Sequence, residues 1–203
     1  FSAGALLALA LGLASKENAA VIPALLAAHS ISAIRSGSRL REVARRIGPL
    51  LAAELALVAA YLLLLRPLVL GNSLTGAPPQ GGSTATQLAT SFALWPASLA
   101  WIVFPLTSTT SDAVRVAKSI ADPLALAGIG LALASALAWL WLLWRRTTVA
   151  AFALAWLWLA FLPTSGLVPL LHLRSERNLF LSVFGAALLL PCAAARRGSA
   201  SRG

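Results

Sequence analysis

The sequence predicts an all-α integral membrane protein: about six transmembrane helices plus one further helix, amphipathic or re-entrant, on the outer face. Three observations predict it. Of 203 residues, 59% are hydrophobic and 11% charged, with a mean hydropathy of +0.84. A water-soluble domain of this size carries about twice that charged fraction. Second, residues 50–65, 124–144 and 149–162 are almost free of charge, and a bilayer is crossed by roughly 20 apolar residues whose backbone bonds internally, as a helix. Third, the cations alternate. Arg35, Arg39, Arg41, Arg45 and Arg46 fall in one linker, Arg145 and Arg146 in a second, and Arg196, Arg197 and Arg202 in the tail. Lys16, Arg66, Arg115, Lys118, Arg174 and Arg177 fall in the linkers between. The arginine-rich set is cytoplasmic by the positive-inside rule.

The elements follow in order. Phe1-Ser2-Ala3-Gly4 is already apolar, with no basic stretch or cleavage pattern of a signal peptide. The expectation is a fragment that begins inside a first span, residues 2–14. Spans are then predicted at 19–34, 47–65, 123–144, 149–162 and 179–195. Together they make a partial polytopic membrane domain, 1–195, with a cytoplasmic tail at 196–203. Residues 67–122 are read as an outer loop carrying a surface helix. Its first part, 71–87, is rich in Gly, Pro, Ser and Thr. The apolar stretch after it is interrupted by Pro96 and Pro105, and counting it as a span would place Arg145, Arg146 and the tail outside. It is therefore read as lying along the outer face or re-entering from it, with Trp95 and Trp101 at headgroup level. A short surface helix is expected over 114–120, capped by Asp112, and Asp122 before Pro123 reads as an N-cap with proline at N1. Trp139, Trp141, Trp144, Trp156 and Trp158 read as an interfacial belt with lipid-facing packing, and imply no ligand.

Charge in so apolar a chain draws attention to two outer junctions. Lys16 and Glu17 lie between the first two spans, and His172, Arg174, Glu176 and Arg177 precede the last. Lysine offers a point charge and arginine a bidentate fork, so these cations suit a lipid phosphate. Glu17 and Glu176 would hold them or bind a hydroxyl. The plainer reading is interfacial charge that snorkels to water, and both readings stay open on spacing alone. Glu54 sits within a span, where a relay, a hydrogen-bonded helix contact or a protonated carboxyl would each account for it. His29 reads as structural. Two distant histidines and the single Cys192 provide no metal-ligand spacing. No phosphate-binding glycine loop or nucleophile elbow is present. The net charge of +10 is not interleaved with stacking aromatics on a polar face, which sets nucleic acid aside.

The ordered stretches SKENAAVIPALL (15–26), FPLTSTTSD (104–112), IADPLALAG (120–128) and LPTSGLVPLLHLRSERNLFLSVFG (162–185) resemble a known family. They are similar to the membrane portion of the transmembrane and tetratricopeptide-repeat O-mannosyltransferases and their bacterial relatives, within the GT-C glycosyltransferases. The resemblance runs from about Leu6 to Pro191. It implies a polyprenyl-phosphate sugar donor, mannosyl in that family, and inverting transfer to an acceptor hydroxyl on a protein or glycan, with no cofactor and no metal. Lys16 and Glu17 would lie at the lipid-phosphate-sugar pocket. Arg177 with Arg174 would contact the phosphate, Glu176 would organise it, and His172 and Asp112 would support the site. The family's catalytic acid lies in a first outer loop, so the general base is expected N-terminal to residue 1. Where relatives carry an aromatic after the Glu-Arg pair, this chain has Asn178-Leu179-Phe180. High Ala, Leu and Arg content points to a bacterium, hence to its inner membrane with the site facing outward.

Two other classes remain as expectations. A transporter or flippase of lipid-linked substrates would place ionisable groups at the midplane of repeated halves, and only Glu54 meets that. A non-catalytic membrane module requires no site. A polymerase or ligase of lipid-linked sugars would favour an outer loop rich in arginine and histidine, not one rich in glycine and serine.

Overall fold

The computed structural model describes residues 2–70, 79–104, 115–167 and 176–200, and no strand occurs among them. The chain divides into two compact units, Phe1–Gly76 and Ala77–Gly203.

The first unit contains α1 (Ser2–Ser15), a 3-10 turn (Glu17–Val21), α2 (Ile22–Arg35) and α3 (Leu40–Ala60). A π-helical turn, Tyr61–Leu65, continues α3 into α4 (Arg66–Leu70). Helix α1 ends where Lys16 turns extended, its amide bonding the Gly12 carbonyl at 2.7 Å. Gly12 lies against Ala19 of the 3-10 turn. Pro23 then sits in the first turn of α2, where a missing N–H costs nothing. Helix α2 stops at Gly37, whose φ of 115° suits glycine. There Gly37 N–H donates to Ile34 and Ser38 N–H to Ala33, a double C-terminal closure that satisfies two end carbonyls. The π turn precedes Pro67, which lacks an N–H and whose ring would crowd the carbonyl four residues back. A wider turn at Tyr61–Leu65 relieves that crowding and lets the helix run on.

The second unit contains α5 (Thr84–Val103), α6 (Pro123–Trp144), α7 (Thr148–Phe161) and α8 (Glu176–Ala200). Ser83 and Thr86 form a reciprocal capping box at the start of α5. Asp122 caps α6 as the sequence predicts. Its Oδ1 accepts from the Leu124 amide at 3.0 Å, Pro123 follows at the first position, and Oδ2 pairs with Arg115 at 2.9 Å. The turn between α6 and α7 is closed by bonds from Arg146 to Leu143 and from Thr147 to Leu142, with Arg146 in the left-handed region at φ 55°. Helices α7 and α8 run antiparallel: Trp156 donates to the Leu181 carbonyl, and Gly185 lies directly on the Leu157 backbone. The core gathers Trp95, Ile102, Leu157, Phe161 and Leu179, with Trp95 in ring contact with Phe92, Trp158 and Phe161.

Three helical segments are long and apolar enough to cross a membrane: Asn18–Arg35, Leu40–Leu68 and Pro123–Trp144. The other predicted spans are helical too, but shorter: Ser2–Ser15, Thr148–Thr164 and Leu179–Cys192. Large apolar side chains such as Leu63, Leu64, Leu68, Leu133 and Leu137 remain exposed, Leu68 at 82%. In water that array would be costly; in hydrocarbon it costs nothing.

Several local expectations are refined by the structure. Of the helix expected over 114–120, the described part is not helical: 115–117 is irregular and 118–122 forms bends and a turn. Trp95 is buried in the core of the second unit and donates to the Ser165 carbonyl at 3.0 Å, so its role is packing within the protein. Trp156 and Trp158 likewise serve helix packing. Helix α5 is packed into its unit along one face. Gln87, Ala89, Thr90, Ser91, Trp95, Ser98 and Ile102 are buried, and α5 runs parallel to α6. In the second turn of α5 Thr90 accepts from the Ala117 amide at 3.0 Å, ahead of α6, and two residues on the Phe92 carbonyl lies on Gly128 in the second turn of α6.

That Phe92–Gly128 contact follows from the sequence. Pro96 cannot donate to the carbonyl four residues before it, which is that of Phe92. The freed oxygen faces the Gly128 backbone, where a Cβ would overlap it. Glycine at 128 therefore permits the close approach that proline at 96 creates.

Candidate functional site

Most of the predicted site falls where little is described. Asp112, His172 and Arg174 lie outside the described residues, as do the side chains of Glu17, Glu176 and Arg177. The backbone of Glu17 opens the 3-10 turn, and that of Glu176 and Arg177 opens α8. Lys16 is described in full. It is exposed at the end of α1, in extended conformation. Lys16 and Glu17 belong to the first unit, Glu176 and Arg177 to the second.

Within the first unit the structure adds a pocket of about 450 Å³, inside the roughly 300–1,000 Å³ range of small-molecule sites. Ala10, Leu13 and Ala14 form one wall from α1; Leu57, Tyr61, Leu65 and Arg66 form the other. The lining is apolar except for the Tyr61 hydroxyl and the Arg66 guanidinium. Lys16 follows two residues after Ala14, at the same end of α1. The lining thus sets one cation, Arg66, on an otherwise greasy bed, with Lys16 close by in sequence beyond Ala14. The π turn contributes directly: it supplies Tyr61 and Leu65 and sets the rotation at which Arg66 leaves the helix.

Glu54 lies on the face of α3 that carries Leu57 and Tyr61, three and seven residues later. It is 3% exposed, and its Oε2 has no hydrogen-bond partner among the described residues. The helix contact expected for it is therefore at best half made. Among the described residues no group of His, Cys, Asp and Glu could hold a metal ion.

In the second unit a row of buried polar groups secures α5 to the turn after α7. Gln87 Nε2 and Ser91 Oγ both donate to the Gly166 carbonyl, the former at 2.6 Å and the latter at 2.5 Å. With Trp95 on Ser165, these bonds satisfy a backbone turn that would otherwise bury bare carbonyls. Their role is structural.

Sequence reasoning placed Arg66 on the same side as Lys16 but assigned it no role, and it passed over Tyr61. The available signal was the run YLLLLRP, an arginine and proline ending an apolar stretch on the side where Lys16 ends another. What it lacked was the pairing of α1 with α3.

The class that the described residues define is that of a helical protein with three helices fit to cross a membrane. No family model matches the chain, and no curated protein and no solved structure matches it significantly.

Proposed function

We propose that this chain is part of a GT-C membrane glycosyltransferase that moves a sugar, mannose in the family it resembles, from a polyprenyl phosphate to an acceptor hydroxyl. In this reading six helices span a bacterial inner membrane, α5 re-enters from the outer face, and the site faces outward. The observation that carries it is the apolar pocket lined by Leu13, Leu57 and Leu65 that also takes Arg66 into its wall. The bond from the Ala117 amide, ahead of α6, to Thr90 near the start of α5 supports the re-entrant helix, since it sets the approach to α6 beside the beginning of α5.

The chemistry follows from charge. The acceptor oxygen attacks the anomeric carbon, the bond from that carbon to the phosphate oxygen breaks, and the electron pair leaves with the phosphate. The hydroxyl proton passes to a carboxylate base, which no described residue is assigned to provide. Negative charge grows on the departing lipid phosphate, and fixed cations stabilise that change more than they stabilise the ground state. Lys16 and Arg66 would act there, with Arg174 and Arg177 as the further cations that the sequence proposes.

Binding is tested by titrating the detergent-solubilised protein with polyprenyl phosphate and with the uncharged polyprenol. The phosphate should bind at least about tenfold more tightly, a charge-assisted bond contributing about 1.5–3 kcal/mol. Lys16→Ala with Arg66→Ala should erase the preference. Equal binding of the two lipids would remove the site. Transfer is tested in membranes containing the full-length protein and a labelled polyprenyl-phosphate sugar, where the same variants should raise the donor KM.

Glu54 favours a second reading, transport of a lipid-linked substrate, because a buried carboxyl at membrane depth marks many pathways. That reading predicts sugar crossing sealed vesicles without a new glycosidic bond.

A further inference from the structure

We infer that the α2–α3 hairpin is a docking surface for anionic phospholipid headgroups in the leaflet where it emerges, separate from the pocket between α1 and α3. Five arginines, Arg35, Arg39, Arg41, Arg45 and Arg46, fall within it against one acid, Glu42. All five are exposed. Glu42 is already engaged, bonding Arg46 at 3.1 Å one turn along α3. Arg41 and Arg45 stand one turn apart on the same helix, an arrangement of like charges that weakens a helix unless something negative lies between them.

The hairpin geometry makes this a surface and not a string of charges. The double closure at Gly37 fixes the turn, so Arg35 at the end of α2 and Arg39 at the start of α3 emerge together. On the first two turns of α3, Leu40, Val43, Ala44 and Ile47 recur at helical spacing and form one apolar stripe. Arg41 and Arg45 border that stripe on one side and Arg46 on the other. Leu40 is 65% exposed although it belongs to the apolar side. An apolar stripe flanked by arginines is the pattern of a helix at the headgroup boundary, with its aliphatic side chains toward the acyl region and its guanidinium groups on phosphates. Charge complementarity thus selects an anionic phospholipid over a zwitterionic one. Each arginine near such a surface strengthens attraction by a factor of about five.

The test titrates the detergent-solubilised full chain with dioleoyl phosphatidylglycerol, dioleoyl phosphatidylcholine and inorganic phosphate, with bound lipid read by native mass spectrometry. Phosphatidylglycerol should bind well above phosphatidylcholine. The R41Q/R45Q variant should lose about thirtyfold of that affinity, and 0.5 M salt should weaken it by screening. The matched R145Q/R146Q variant, at the α6–α7 turn where Arg145 already stacks on Trp141 and Trp144, should retain most of it. Equal binding of the two phospholipids would overturn the inference, as would an unchanged affinity in R41Q/R45Q. Competition by inorganic phosphate at the same concentration as the lipid would replace the headgroup with a free-phosphate site and equally overturn it. Loss of phosphatidylglycerol binding with Lys16→Ala alone would locate the lipid in the α1–α3 pocket instead.

Discussion

Gly128 and Gly130 are two residues apart on α6 and look alike in sequence, yet they stand in opposite surroundings. A Cβ at Gly128 would run into the Phe92 carbonyl, whereas one at Gly130 meets nothing within 4 Å. Gly128→Ala should therefore destabilise the second unit by roughly 1–3 kcal/mol, because backbone cannot move aside as a side chain can. Gly130→Ala should leave stability unchanged or raise it by about 0.5–1 kcal/mol through lower backbone entropy in the unfolded chain. Unfolding midpoints of the two variants in detergent check both signs together. Glu54 gives a second residue-scale prediction. Replacing it with leucine removes a buried oxygen that has no partner among the described residues and should stabilise the first unit by about 1–3 kcal/mol. A loss of stability would mean that the carboxyl is held by a contact beyond the described residues. Glycine at 128 was legible as small but not as necessary, since the partner carbonyl is freed by a proline 32 positions earlier.

Elements in this chain end by two versions of one device. Both the α2–α3 and α6–α7 turns use the double C-terminal closure, but Gly37 occupies the left-handed position in one and Arg146 in the other. A non-glycine residue in that region carries a steric cost of about 1–2 kcal/mol. Arg146→Gly should recover part of it, about 0.5–1 kcal/mol, read as a higher thermal midpoint. At the start of α3 the N-cap is Arg39, whose side chain makes no capping bond. Arg39→Ser should add a cap contributing roughly 1 kcal/mol. It would also subtract one cation from the proposed lipid surface, so stability and phosphatidylglycerol binding should move in opposite directions. The cap at Asp122 was legible because Asp-Pro before an apolar run has one economical reading. The fate of α5 was not: Pro96 suggests a break in sequence, and only packing against α6, α7 and α8 shows that the helix continues through it.

For the molecule as a whole, the division at Gly76 and Ala77 leaves each unit with its own packed helices. Expressed as two separate chains divided there, the units should each insert into membranes and show helical circular dichroism. The proposed orientation adds a sharper expectation. In a Cys192→Ser background, Ser38→Cys lies in the α2–α3 turn and Ser119→Cys in the segment before α6, both exposed. A membrane-impermeant maleimide should label the cysteine at 119 in intact cells and the one at 38 only after permeabilisation. The reverse pattern would turn the whole arrangement over and put Lys16 and Arg66 on the cytoplasmic side.

By itself the sequence determined that the chain is helical and suited to a bilayer, where its long helices lie, and which linkers carry its cations. Those properties are local or compositional: hydrophobicity over a window, a capping aspartate, a glycine after an arginine. Only the tertiary structure decided that α1 and α3 enclose a pocket ending in Arg66, that α5 is buried parallel to α6, and that Trp95 is core. Each depends on which helix faces do not meet lipid. In a chain that is apolar on nearly every side, periodicity cannot distinguish a face turned to hydrocarbon from one turned to another helix.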